Sequence, residues 1–246
     1  MKPKVAFFDF TGCEGCQFEF LNLEPQDLLD ILGAVEVVNF REAISERSDD
    51  YDIAIIDGGI STAKDVERIM KIRGQAKILV ATGACATIGG MNCMKNFYSM
   101  DEVKHIVYGD CADYYQTIPA KPISAVVPVD YCVYACPPTK SEYAKVLKAL
   151  LQGKKPEIPN YPVCSDCKMA GNECVFFKGM TCMGPVTRAG CGAICVTHGQ
   201  ICWGCRGLVP EPNTNSEKEV LAKYGLTPQE VVNKFRLFVG LSEVAK

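Results

Sequence analysis

The chain has 246 residues, a formal net charge of −3 and 48% hydrophobic residues, enough for one ordinary domain and a small appendage. It has no basic run or basic amphipathic helix, which argues against nucleic-acid and membrane-surface partners, and no apolar run reaches the ~18 residues of a membrane span. Fifteen cysteines are the one strong anomaly. The opening MKPKVAFFDF is too short and too quickly polar for a secretion signal, so a cytoplasmic location is expected. In that reducing compartment, clustered cysteines read as metal ligands and not as disulfides.

Lys4 to Phe10 is an apolar run bounded by Pro3 and Thr11-Gly12 and predicts a buried strand. A loop with Cys13 and Cys16 follows. Helical spacing then runs through Phe18, Phe20, Leu21, Leu28, Leu29 and Leu32, restarted at Pro25 and stopped at Gly33. Val35 to Phe40 and Asp52 to Asp57 predict two more strands. A helix over Ala63 to Ile72, with Thr62 as N-cap, separates them from a fourth strand, Lys77 to Ala81. Residues 86–123 predict short helices and loops. Ala125 to Val129 predicts a weaker fifth strand, and a helix from Ser141 to Leu151 closes the unit.

Strands alternating with helices imply a doubly wound, mainly parallel α/β sheet over residues 1–156. The Pro-rich stretch Lys155 to Pro162 marks a boundary. Residues 157–246 then predict a small irregular cysteine-rich domain ending in two helices, the second capped by Thr227 with Pro228 at its first position.

From Cys164 to Cys205, eight of 42 residues are cysteine. Cys164, Cys167, Cys174 and Cys182 form one quartet, C-x2-C-x6-C-x7-C. Cys191, Cys195, Cys202 and Cys205 form another, C-x3-C-x6-C-x2-C. So short a stretch, with few large apolar residues, needs thiolate–metal bonds to fold. A helical turn would set Cys191 and Cys195 at i and i+4, on one face.

A third set comes from three distant segments. Cys13 and Cys16 follow the first strand, Cys85 the fourth and Cys136 the fifth. In an open parallel sheet these carboxyl ends share one edge, where ligands collect. Cys93, Cys111 and Cys132 are left over and read as buried thiols, Cys132 being the one expected nearest this set.

Four thiolates suit zinc or a [4Fe-4S] cluster. Zinc ribbons pair two C-x2-C knuckles, whereas each C-terminal quartet has C-x2-C at one end only. Zinc also gives no reason for a third site on the strand edge, while three iron–sulfur clusters make an electron wire. Glu14, between two of these cysteines, reads as a loop carboxylate, with a proton path as the sharper alternative. His105 and His198 read as structural or surface residues, and Trp203 as a shield beside its flanking cysteines.

The segments FTGCEGC, GACATIGG and VPVDYCVYACPP, with CMGPVTRAGC and ICWGCRG in the cysteine-rich part, resemble the small subunits of [NiFe] hydrogenases. The resemblance runs from Val5 to Gly207 and is closest to the soluble cytoplasmic, sulfhydrogenase-like type. It implies a flavodoxin-like first domain and three [4Fe-4S] clusters. The proximal cluster would lie on Cys13, Cys16, Cys85 and Cys136, the distal on Cys164, Cys167, Cys174 and Cys182, and the medial on Cys191, Cys195, Cys202 and Cys205. Cys164 stands where periplasmic members have histidine. Cys195 stands where they have proline and a three-iron medial cluster. Gly15 and Gly90 occupy the positions of the extra cysteines of oxygen-tolerant members, which implies oxygen sensitivity. Ala135 replaces a usual glycine, a change expected to matter little.

The implied partners are a large subunit holding the Ni–Fe site and a flavin- or iron-sulfur-containing acceptor subunit, with no catalytic residue on this chain. Two other readings fit less well. Nickel held here by Cys13, Cys16, Cys202 and Cys205 would break two quartets and lacks the arginine and Asp-Pro that flank such pairs. A related complex without hydrogenase activity, of the complex I lineage, would begin its ligands with adjacent cysteines, whereas Cys13 and Cys16 are separated by two residues. A flavin mononucleotide phosphate would need the loop that Cys13 and Cys16 already fill.

Overall fold

The computed structural model describes residues 2–242 and 245. The chain divides into two compact units, Met1–Pro156 and Glu157–Lys246.

In the first unit, strands β1 (Lys4–Asp9), β2 (Glu36–Asn39), β3 (Ile53–Asp57), β4 (Ile78–Thr82) and β5 (Tyr131–Val133) pair in parallel in the order β2-β1-β3-β4-β5. This is the flavodoxin-like doubly wound order, whose switch point lies between β1 and β3. Helices α1 (Gly15–Leu21), α2 (Pro25–Ala34), α3 (Ala63–Gln75), α4 (Gly83–Ile88), α5 (Met100–Tyr108) and α6 (Lys140–Leu151) connect or follow the strands.

The strands are apolar without alternation because both faces are covered. Val5, Phe7, Ile53, Ile55, Val80 and Val133 face Phe20, Tyr143 and Leu147 of α1 and α6. Ala6, Phe8, Ala54, Ile56, Leu79 and Ala81 face the other way, against Ile69 and Ile72 of α3. Phe7 stacks on Phe40 at 4.2 Å between ring centroids. The Thr62 cap is a full capping box with Asp65, so α3 starts where its sequence says it should.

Two elements differ from expectation. The run at 125–129 is not a strand: Ile123–Ala125 forms a 3-10 turn, and the fifth strand lies at Tyr131–Val133. Pro128 has no N–H to give a ladder, which leaves the pairing to the residues after it. Helix α2 also runs through Gly33 to Ala34 and stops at Val35.

The second unit contains helices α7 (Val163–Met169), α8 (Ile194–Thr197), α9 (Thr214–Lys223) and α10 (Pro228–Val239), joined by turns and isolated bridges. Thr227 caps α10 with Pro228 in its first turn. Cysteines are part of the core here: Cys182 and Cys202 pack with Val163, Val175 and Ala193. The helical turn expected from Cys191 to Cys195 is not formed. Gly192 (φ 62°) and Ala193 (φ 54°) are left-handed, so α8 begins only at Ile194. Among the described residues, no helix is long and apolar enough to cross a membrane.

Candidate metal centres

No disulfide joins any of the fifteen cysteines. At the carboxyl edge of the sheet, the loop after β1 carries Cys13 and Cys16, α4 after β4 carries Cys85, and the turn after β5 carries Cys136. Backbone bonds hold the loops together. Ala84 N–H donates to the Ala135 carbonyl at 2.7 Å, and Thr11 and Gly59 exchange N–H bonds at 3.0 and 2.8 Å. Gly83 (φ +83°) is left-handed, and a Cβ on it would overlap the Cys16 sulfur. Glycine is required at that point of closest approach.

The four thiols are electrostatic neighbours. Burial pushes the Cys85 thiol up to about 12, helped by Cys136, Asp57 and Cys13. Cys16 is raised by burial, then by Asp57, Cys136 and Cys85. Cys136 is raised by burial, then by Cys13 and Asp57. Cys16, Cys85 and Cys136, each raised by its neighbours, need a cationic centre to become thiolates, and coordination to iron would supply one.

Ala135, just before Cys136, has φ 117° and is buried. A residue with a Cβ is strained there, at a cost of roughly 1–3 kcal/mol. The methyl group is therefore not neutral, contrary to expectation, and the usual glycine at this place has a backbone reason. The Cys136–Pro137 peptide is cis.

In the second unit, Cys164 is pushed up to about 12 by burial and then by Cys182, Cys167 and Cys174, so the whole first quartet is gathered. The second quartet is tied together less completely. Cys191 feels Cys195, and Cys202 feels Cys205. Cys191 also packs against the apolar cluster that holds Cys202. The two quartets adjoin, because the backbone N–H of Cys202 donates to the Cys182 sulfur at 3.3 Å, beside a second N–H from Gly184 at 3.4 Å. Gly184 leaves only 3.3 and 3.4 Å between its Cβ position and the sulfurs of Cys164 and Cys182.

Among the described residues, no three His, Cys, Asp or Glu side chains are arranged to hold a metal ion directly. The thiols are gathered but not drawn onto one ion, and a four-iron cube spreads its four corners wider than a single ion's tetrahedron. All-thiolate donors, N–H bonds to sulfur and glycines at the sulfurs fit that larger group.

Several residues at these sites carry no sequence signal. Asp166 is buried between the quartets and accepts from Gly190 and Gly192 N–H at 2.9 and 3.1 Å. Arg206 is fully buried, donates to the Ala189 carbonyl at 2.7 Å, and its charge favours the Cys191 thiolate. Only its place next to Cys205 could have drawn attention to it. Glu14 has its carboxyl raised by burial and by neighbouring Glu42. Of the leftover thiols, Cys93 is buried and donates to the Ala120 carbonyl at 3.4 Å. Cys132 is half-buried against the α3-side core. Cys111 is exposed, not buried as expected. His105 is exposed, its Nδ1 2.9 Å from the Asp101 carbonyl. The Lys234 ammonium lies 4.8 Å from the ring centre of half-exposed Trp203.

Glu217 was also missed. It is 2% exposed, its Oε1 has no partner, and it lies close enough to Cys164 and Cys182 to raise both. Burial pushes its carboxyl up to about 7 from 4.5. Because the folded carboxyl holds its proton more tightly than the unfolded one, stability falls as pH rises from about 4.5 to about 7, by about 3 kcal/mol at most. Glu217→Gln should therefore stabilise the protein at pH 8 and lose most of that advantage at pH 5. Paired unfolding curves at the two pH values read this out, and an equal gain at both would contradict it.

Comparison with known proteins decides which family this architecture represents. A family model described as NADH ubiquinone oxidoreductase, 20 Kd subunit, matches residues 13–150. Sulfhydrogenase 2 subunit delta of Pyrococcus furiosus is 35% identical over 237 residues, covering 96% of this chain and 98% of that protein. The chain belongs to the family of [NiFe] hydrogenase small subunits. The vhu F420-non-reducing hydrogenase of Methanocaldococcus jannaschii has a subunit that is 32% identical, covering 95% of this hydrogenase small subunit and 92% of its own length. Among solved structures, an NAD+-reducing [NiFe]-hydrogenase in the H2-reduced state matches with a TM-score of 0.58 at 28% identity, over 65% of this chain and 96% of its own. The Ni-Fe-Se hydrogenase of Desulfomicrobium baculatum, at 17% identity and a TM-score of 0.57, covers 97% of this chain and 99% of its own and supports the fold.

Proposed function

We propose that this subunit relays electrons within a cytoplasmic hydrogenase complex and holds three [4Fe-4S] clusters. The proximal cluster lies on Cys13, Cys16, Cys85 and Cys136, the distal on Cys164, Cys167, Cys174 and Cys182, and the medial on Cys191, Cys195, Cys202 and Cys205. The observation that carries the reading is the convergence of four thiols from three segments on one sheet edge, in a chain whose relatives are hydrogenase subunits. When bound, the clusters would supply one-electron steps between a Ni–Fe site on a partner large subunit and a flavin- or iron-sulfur-containing acceptor subunit.

The chain's own residues hold, insulate and expose these sites. Cys16 and Cys85 anchor the proximal set from within the domain, while exposed Cys13 and Cys136 leave it open towards the large subunit. Exposed Phe18, Met91 and Met94 on the neighbouring elements offer apolar surface for that contact. In the second unit, Asp166 and Arg206 lock the loop before Cys191 against α7 and the Cys205 turn.

The matching family model bears the name of a respiratory-complex subunit, which favours a second reading: the same relay in a complex without hydrogenase activity. One experiment separates the two. The native complex is purified anaerobically, its subunits are identified, and nickel is assayed in each. Nickel should accompany a companion subunit and be absent from this chain. Nickel on this chain would overturn the division of labour, and its absence from the whole complex would favour the second reading.

A further inference from the structure

The face of the sheet covered by α1 and α6 is apolar until its carboxyl end, where it turns polar. Asp57 and Thr82, the last residues of β3 and β4, are register partners and share the face of Ile55 and Val80. Gln17 of α1 brings its backbone N–H to the Asp57 carboxyl, and Tyr143 of α6 lies beside Thr82 and Asp57. All four are buried, at 2% (Gln17), 5% (Asp57), 0% (Thr82) and 0% (Tyr143) exposure. Yet none of Gln17 Nε2 and Oε1, Asp57 Oδ2, Thr82 Oγ1 and Tyr143 Oη makes a hydrogen bond of full geometry, the hydroxyls of Tyr143 and Thr82 lying only within looser reach of each other. Tyr143 also feels Cys16, and the Asp57 carboxyl faces the backbone N–H groups of Cys16 and Gln17, so these residues meet directly behind the Cys16 ligand position.

A buried polar atom left without a partner is costly, and five poorly satisfied atoms in one place call for a common partner. The set is complementary to water. The amide NH2 and two hydroxyls can donate, the carboxylate and amide oxygens can accept, and an internal water makes about three such bonds.

We propose that Gln17, Asp57, Thr82 and Tyr143 form an internal water site behind Cys16, and that its hydrogen-bond donors set the reduction potential of the proximal cluster. The inference rests on the assignment of that cluster to Cys13, Cys16, Cys85 and Cys136. Cys16 is the one buried thiol of the four, and Asp57 lies within hydrogen-bond reach of it, so this polar group can supply the outer hydrogen bonds of its sulfur. Donors aimed at a thiolate ligand stabilise the more negative, reduced cluster, and hydrogen bonding to the sulfurs is among the levers that set such potentials. Tyr143 acts here as a positioning residue, through the water and Asp57, without touching iron.

The test is a redox titration followed by electron paramagnetic resonance on the anaerobically purified complex. Tyr143→Phe removes one oxygen and leaves the ring against Phe20, whose centroid lies 5.9 Å away. The proximal potential should fall by about 59 mV, a tenfold change in the ratio of reduced to oxidised cluster for one electron. Iron content and the other two potentials should not change. Thr82→Val should lower the same potential, which keeps the test intact if the Tyr143 variant folds poorly. A proximal signal present but unmoved in both variants, or all clusters shifting alike, would overturn the water site alone. A parent complex with no cluster dependent on Cys13 would overturn the proximal assignment itself.

Discussion

Cys85→Ala should reduce hydrogen-driven reduction of the electron acceptor to background, while nickel stays in the partner subunit. Cys85 lies in α4, which alanine, the best helix former, leaves intact. Its thiol is half-buried at the centre of the sheet-edge set, with Cys136 and Cys13 as close neighbours. With three ligands left, the proximal cluster is lost or degraded, and iron should drop from about 12 to about 8 atoms per chain. Metal analysis and acceptor-linked activity, measured on the same preparation, check both halves. Activity above half of the parent would show that electrons do not pass this edge of the sheet.

Cys195→Pro should convert the medial cluster to a three-iron form. Cys195 is the second residue of α8, in the first turn, where a missing N–H removes no intrahelical bond. The left-handed residues Gly192 and Ala193, not a helical turn, bring it back towards Cys191, whose thiol it raises. Proline offers no ligand atom, so one iron should be lost and a three-iron signal should appear on oxidation. Cluster type is a main determinant of potential. The medial potential should therefore rise and slow reduction of low-potential acceptors more than of high-potential dyes. Cys195→Ala, which leaves the backbone alone, should lose the same iron. An unchanged iron count and spectrum in both would remove Cys195 from the ligand set.

Much of this was legible in the sequence, for physical reasons. The strands at Lys4, Ile53 and Ile78 are short unbroken apolar runs, as strands buried on both faces must be. The Thr62 and Thr227 caps state their helix starts chemically, with acidic residues at N3. The gathering of Cys164, Cys167, Cys174 and Cys182 was legible because their spacing is local. The fifth strand was misplaced because apolar content at Ala125 to Val129 was weighed above the missing N–H of Pro128. The Cys191–Cys195 turn was misjudged because spacing does not reveal backbone hand, and Ala193 is left-handed despite its side chain.

The polar residues behind and between the sulfurs were not legible at all. Gln17, Tyr143, Asp166 and Glu217 sit in helices whose spacing gives them no mark, and only tertiary packing buries them. Arg206 looks like a surface cation until its guanidinium is found enclosed against backbone carbonyls.

The most direct test of the account is the metal content of the anaerobically purified complex, less the iron assayed on its separated companion subunits, expressed per copy of this chain. Three four-iron clusters require about 12 iron atoms bound to this subunit, with zinc well below one. Iron near four atoms or fewer, with stoichiometric zinc in the C-terminal quartets, would contradict the relay.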